Sequence, residues 1–81
     1  MTIRVRLFAE LAERAGQDEL ILSVPADARV ADVLDAASRA CPALADLLPR
    51  CAVSVNLAYA LPTRPVAPDD EIAILPPVSG G

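Results

Sequence analysis

The spacing of the hydrophobic residues changes along this chain, and these changes restrict the folds it can adopt more than any other feature. Ile3, Val5 and Leu7 alternate with arginines, which predicts a strand with one buried face. Over residues 30–41 the apolar residues instead recur every three or four positions, which predicts an amphipathic helix. The run at residues 72–75 is apolar throughout, as is typical of a strand in the middle of a sheet. Together these patterns favour a mixed α+β domain.

A short helix is predicted to follow the first strand. Phe8 and Leu11 stand at helical spacing, and we expect both side chains to lie in the core rather than to contact a partner. An exposed apolar patch on the sheet face is the better candidate for such a contact, and the sequence does not assign its residues. Gly16 is a natural C-terminal stop for that helix. A second strand is predicted at residues 20–24. The expected N-cap of the long helix is Asp27, because an aspartate side chain can accept a hydrogen bond from a free N–H of the first turn.

Prolines delimit the second half of the chain. Pro42 ends the long helix, and residues 43–48 have room for one more turn. A third strand is predicted at residues 51–55, with a turn and a short return strand within residues 56–61. Three prolines make residues 62–70 a rigid loop, because proline lacks the N–H that a central strand needs. This order predicts a β-grasp fold, a mixed sheet with one main helix packed across it and a short extra helix; another α+β roll satisfies the same order.

The charged residues exclude several classes of function. The chain has 81 residues, a formal net charge of −4 and no histidine. A self-contained Ser-His-Asp or Cys-His hydrolase is therefore excluded. Nucleic-acid binding usually needs a basic face with aromatic residues, and no nucleic-acid partner is expected here. No apolar run reaches the roughly 20 residues that span a bilayer, and no signal-peptide segment is recognisable, so we expect a cytoplasmic protein with no membrane partner.

The two cysteines do not form a recognisable metal site. Cys41 and Cys51 are far apart in sequence and no histidine is present to complete a zinc-binding set, so we expect no bound metal and no cofactor on this chain. Two reduced thiols are expected rather than a disulfide, since that is the usual state of cysteines in a cytosolic protein.

The C-terminal segment is the candidate for chemistry. We expect residues 1–76 to form the domain and residues 77–81 an extended tail. The Pro76-Pro77 pair favours a stiff exit, and five extended residues of about 3.4 Å each reach roughly 17 Å. Gly80 and Gly81 have no Cβ, so they can enter a channel too narrow for any side chain. A chain end without function is the plain alternative.

A terminal carboxylate is unreactive at neutral pH until it is activated. Conversion to an acyl-adenylate by a partner that uses ATP would turn it into an electrophile, which could accept sulfur or acylate an amine. The chain contains no Gly-rich phosphate-binding loop of its own, so the catalyst is expected on that partner.

Several segments resemble the MoaD family, the small subunits of molybdopterin synthase. They are residues 6–13, 30–34, 53–56 and 70–81. The resemblance covers essentially the whole chain, and its specific part is the ending at residues 76–81 after an acidic turn.

The resemblance implies a ubiquitin-like β-grasp fold and a sulfur-carrier function. A MoeB-like adenylyltransferase would use ATP and magnesium to adenylate Gly81, which would then become a thiocarboxylate. The rest of the tail, comprising Pro77, Val78, Ser79 and Gly80, would enter a channel of the MoaE-like large subunit. There sulfur would pass to precursor Z, cyclic pyranopterin monophosphate, in molybdenum cofactor biosynthesis, within a heterotetramer of two small and two large subunits.

Other functions remain open at this point. A carrier of this kind is not catalytic alone. It could instead deliver sulfur for thiazole synthesis or tRNA thiolation, act as a ubiquitin-like protein modifier, or be a β-grasp binding module with an inert tail.

Overall fold

The elements of the computed structural model, which describes residues 1–77, follow the hydrophobic spacing of the sequence. The strands are β1 Thr2–Leu7, β2 Glu19–Ser23, β3 Ala52–Val55, β4 Ala58–Tyr59 and β5 Ile72–Leu75. The helices are α1 Glu10–Ala15 and α2 Val30–Ala40, and two 3-10 turns follow at Pro42–Leu44 and Leu48–Arg50. The predicted strands, the short helix and the long helix are thus confirmed. Within residues 1–77, no helix is long and apolar enough to cross a membrane.

The five strands form one mixed sheet in the order β2-β1-β5-β3-β4. Strand β5 is central, as predicted: it runs parallel to β1 and antiparallel to β3. Ile74 stands opposite Leu7 on one side and opposite Val53 on the other. The β1 and β2 strands are antiparallel, so α1 lies in a wide hairpin connection rather than in a crossover. This is the β-grasp arrangement predicted above.

The core lies between α2 and one face of the sheet. Alternate residues of each strand point to that face, and α2 contributes its apolar stripe. The buried residues are aliphatic: Ile3, Val5, Leu7, Leu20, Leu22, Val53, Val55, Ile72 and Ile74 from the sheet, with Val30, Val33 and Ala37 from α2. Burying each of the larger side chains contributes about 1.5–3 kcal/mol.

The proline-rich loop between β4 and β5 caps the first turn of α2. The backbone N–H of Val30 donates to the carbonyl of Arg64 at 2.9 Å, and that of Ala31 donates to the carbonyl of Pro62 at 3.0 Å. The first N–H groups of a helix have no partner within the helix. The loop supplies those partners, so it fixes where α2 begins.

The expected N-cap of α2 is wrong by two residues. The helix begins at Val30 with Arg29, not Asp27, in the extended conformation at the cap position. Asp32 takes over part of the role, because its carboxylate accepts the Arg29 N–H at 2.8 Å. A carboxylate in the first turn is also favoured by the helix dipole.

The first helix is shorter than the sequence spacing suggested. Gly16 ends it in the left-handed conformation, with a φ of 73°, and Leu11 is fully buried, as predicted. The prediction of a core position for Phe8 is wrong, since that side chain is 43% exposed. The helix begins only at Glu10, after Ala9 turns the chain with a φ of 50°. Phe8 therefore continues the alternation of β1, which directs it away from the core.

Replacing the same residue type at a buried and an exposed strand position tests this core. Ile74 is completely buried and Ile21 is 57% exposed. We expect Ile74→Ala to lower the free energy of unfolding by about 3 kcal/mol, because it leaves a cavity beneath α2. Ile21→Ala should change it by less than about 0.5 kcal/mol. Urea unfolding followed by circular dichroism measures both, and equal losses would contradict the assignment of the two faces.

Candidate functional site

The C-terminal segment follows directly after the central strand of the sheet. Strand β5 is hydrogen-bonded on both edges, with Ile72 and Ile74 in the core. Pro76 and Pro77 follow directly and are half-buried. The remaining predicted tail residues, Val78, Ser79, Gly80 and Gly81, lie outside the described residues, and their assignment stays a prediction.

A groove of about 360 Å³ runs along the outer face of β5, on the side of the sheet opposite α2. We call it the β5 groove. It is lined by Arg6, Phe8, Ser54, Leu57, Tyr59, Glu71, Ala73 and Leu75. Its floor is β5 itself, and its Leu75 end is the point where the chain enters Pro76-Pro77.

The walls of the β5 groove are apolar and exposed. Leu57 is 88% exposed, Tyr59 80% and Phe8 43%. Single exposed apolar residues are ordinary, but a contiguous group around a concavity marks an interaction surface. The small side chain of Ala73 in the floor leaves room for a group of another molecule.

One wall is shaped by the turn after β1. The N–H of Leu11 donates to the Phe8 carbonyl at 3.1 Å, across a turn in which Ala9 has φ 50° and ψ −126°. Such a conformation favours glycine and costs a residue with a Cβ about 1–3 kcal/mol. On the groove side, the Arg6 guanidinium lies 6.0 Å from the centre of the Phe8 ring, a cation–π distance that helps hold the ring in place.

The other wall is the β3-β4 hairpin, which is tied to the start of β5. The Asn56 amide donates to Asp70 Oδ1 at 3.0 Å, and its Oδ1 accepts the Glu71 N–H at 2.9 Å. Asp70 Oδ2 in turn accepts the N–H of Ala67 at 2.7 Å, closing the turn that leads into β5. Asn56 thus joins the hairpin to the acidic turn and holds the neighbouring Leu57 at the groove mouth.

Charge is unevenly distributed around the groove. A polar depression beside it shares Arg6 and Glu71 and also includes Asp69 and Asp70. Three consecutive acids therefore stand beside the turn of the β3-β4 hairpin. A partner that covers this end needs basic groups there, since buried like charges would repel.

The described residues also contain two cysteine thiols, Cys41 and Cys51. Cys51 is half-buried and its Sγ donates to the Leu47 carbonyl at 3.3 Å. Burial raises the pKa of the Cys51 thiol, partly offset by the positive charge of Arg50. Because the thiolate is the reactive form, this environment makes Cys51 a poor nucleophile. Both cysteines are free thiols, as expected.

Sequence reasoning did not locate the β5 groove. An exposed apolar patch on the sheet was expected, but its residues were not assigned. One signal was available: continued alternation from Leu7 places Phe8 on the outer face. A similar signal exists for Tyr59. With a two-residue loop after Val55, Tyr59 pairs with Ser54, and paired residues of two strands point to the same face of a sheet, here the outer one.

Comparisons with known proteins agree on one family. A family model described as the ThiS family matches residues 5–81. The molybdopterin synthase sulfur carrier subunit of Chlamydomonas reinhardtii is 36% identical, and the alignment covers 100% of both chains. Small archaeal modifier protein 1 of Haloferax volcanii is 40% identical over 94% of this chain and 97% of its own.

The solved structures match the whole described fold. The crystal structure of SAMP1 from Haloferax volcanii superposes with a TM-score of 0.87, at 38% identity and with 100% of both chains covered. This similarity confirms the β-grasp fold predicted from the order of the elements and its ubiquitin-like form, which the family resemblance implied.

The environment of Cys51 leads to a testable difference in reactivity. At mildly alkaline pH the raised pKa leaves less thiolate, so we expect iodoacetamide to alkylate Cys51 at least about threefold more slowly in the folded chain than in urea. Peptide mass spectrometry at timed intervals measures the rate. Equal rates in the two states would show that the fold does not protect this thiol.

Proposed function

Because the chain belongs to the ThiS family, whose MoaD members it resembles over essentially its whole length, we propose that it is the sulfur-carrier subunit of a molybdopterin synthase. The name of the Chlamydomonas relative supports this assignment. The structural observation that carries it is the position of the C-terminal segment, which leaves from the central strand directly beside an exposed apolar groove.

The proposed reactive group is the carboxylate of Gly81. A MoeB-like adenylyltransferase would supply ATP and magnesium; the carboxylate attacks the α-phosphorus and pyrophosphate leaves. Hydrosulfide, or a donor that delivers sulfur at the same oxidation level, then attacks the acyl carbon and displaces AMP, which leaves a thiocarboxylate on Gly81. Burial disfavours the thiolate of Cys51, which supports the chain terminus rather than that side chain as the site of sulfur attachment.

The proposed acceptor is bound by a MoaE-like large subunit. The tail enters that subunit's channel and the thiocarboxylate sulfur attacks cyclic pyranopterin monophosphate. Water then cleaves the acyl–sulfur bond, so the sulfur stays on the pyranopterin and the Gly81 carboxylate is regenerated. The role of this chain is delivery. Strand β5 holds the base of the tail rigidly, and the β5 groove supplies a docking surface next to it, so a partner positions Gly81 by covering the groove.

A ubiquitin-like protein modifier is the second candidate function. The similarity to small archaeal modifier protein 1, at 40% identity, favours it specifically. Both functions begin with the same activated terminus and differ in what attacks it: sulfur gives a thiocarboxylate, whereas a lysine amine gives an amide bond to another protein. Intact mass spectrometry of the chain isolated from cells separates them, since replacement of one oxygen by sulfur is a small defined increase and conjugation yields high-mass adducts.

Removal of the last residue tests the carrier role. After intact mass has established Gly81 as the terminal residue, we expect deletion of Gly81 to abolish sulfur transfer to the pyranopterin in an assay with the large subunit and the activating enzyme. The melting temperature should stay close to that of the parent chain, because the hydrogen-bonded sheet already ends at Leu75. Leu61→Ala, which leaves the tail and the groove lining unchanged, is the control. Full activity of the deletion variant would refute the carrier role.

The docking role of the groove has its own test. We expect Phe8→Ala to weaken binding of the large subunit at least about tenfold, because aromatic anchors beside a groove dominate such interfaces. Its effect on stability should be modest, since the side chain is 43% exposed. Leu61→Ala is the matched control: Leu61 is 73% exposed but does not line the groove. Isothermal titration calorimetry measures both affinities, and an equal loss in the two variants would argue against the groove.

A further inference from the structure

We propose that Leu57 is a partner-contact residue, kept at a backbone position that favours glycine because its side chain enters an apolar, basic-rimmed pocket of the large synthase subunit. This inference rests on the proposed function and adds to it a residue that determines affinity. Two independent features of Leu57 carry it: its backbone conformation and its exposure.

The backbone at Leu57 is in a conformation that few leucines adopt. Val55 pairs with Ala58, so Asn56 and Leu57 form a two-residue hairpin loop. Their φ values are 53° and 70°, both in the left-handed region, which defines a type I′ turn. The sequence preferred in such a turn is Asn-Gly, because the second position has no room for a Cβ without strain. Leucine at that position therefore strains the backbone of the turn that joins β3 to β4.

Of the two loop residues, only Asn56 makes side-chain hydrogen bonds that stabilise its left-handed conformation. Asn56 tolerates the left-handed region well and makes hydrogen bonds to Asp70 and Glu71. Leu57 is 88% exposed, the most exposed of the large hydrophobic residues within residues 1–77, and contributes nothing to the core. The leucine side chain therefore destabilises the turn in the isolated domain and forms no core contact that would offset this loss of stability. A local outlier of this kind points to a function outside the domain.

The position of Leu57 identifies the protein that covers it. Leu57 and Leu75 line the same groove, whose floor is the four-residue strand β5, about 13 Å long. Four residues follow Pro77, and extended chain of that length reaches about 14 Å. Val55 pairs with Ile72, so Leu57 lies at the start of β5, about one strand length from Pro76-Pro77. A protein that receives Gly81 must approach to within about that distance of Pro77, and one that also covers the groove floor between the two points contacts Leu57.

The surroundings of Leu57 specify the chemistry of the matching pocket. Tyr59 stands beside it on the groove wall, so the pocket must accept apolar groups. Glu71 lines the same end, and Asp69 and Asp70 adjoin it. Lysine or arginine side chains around an apolar centre would complement this surface, and binding would weaken as salt screens those charges.

The test separates stability from binding, because Leu57→Gly should move them in opposite directions. Relief of the strained turn should raise the melting temperature by about 2–4 °C, after allowance for the greater freedom of glycine in the unfolded chain. Loss of the side chain should weaken binding of the large subunit encoded in the same genome about tenfold. Leu61→Gly is the matched control, since Leu61 has no positive φ and lies outside the groove. It should leave affinity within about twofold and should not raise the melting temperature.

Differential scanning calorimetry and isothermal titration calorimetry with the purified large subunit supply the two readouts. If Leu57→Gly binds as tightly as the parent chain, the inference is overturned while the proposed function stands. If Leu57→Gly melts at a lower temperature than the parent, the strain argument is wrong and the inference falls with it. If the parent chain itself does not bind the large subunit, both the inference and the proposed function are overturned.

Discussion

The pairing of β5 with two strands at once is the interaction on which the rest of this structure depends. Residues from the two ends of the described chain meet in the β1-β5 pair, and β3 closes on the other edge of β5. Such long-range contacts must overcome the entropy of closing the intervening loop. Once formed, they supply the floor of the core beneath α2, the floor of the β5 groove, and a rigid base for Pro76-Pro77.

The two faces of β5 serve different purposes. Ile72 and Ile74 fill the core beneath α2, whereas Ala73 and Leu75 form the floor of the groove. An apolar run is usually interpreted as a strand covered on both sides. Within the described residues, the only helix packed across the sheet lies on one side, so the second apolar face is available to another protein. The same four residues therefore stabilise the domain and prepare it for association.

Strain in the loops concentrates where the groove walls are built. Ala9 and Leu57 both have a positive φ without being glycine, and each stands next to or within a wall of the groove. Stability is lost at both positions in the isolated chain. The sheet tolerates this because the strained turns join elements whose positions are already determined by the core. The two turns thus place side chains where a partner can contact them, although their backbone conformations lower the stability of the isolated domain.

The sequence by itself determined the elements, their order and the family. The alternation in β1, the helical spacing of α2 and the apolar run of β5 are local patterns, and each is set by which face of an element must leave water. Tertiary structure alone decided what the loops do. The N-cap of α2 is Arg29 rather than Asp27, and a distant loop supplies hydrogen-bond partners for the first turn. Local alternation and the hairpin register direct Phe8 and Tyr59 outward, but only the pairing of β5 with both β1 and β3 brings the two side chains to one groove.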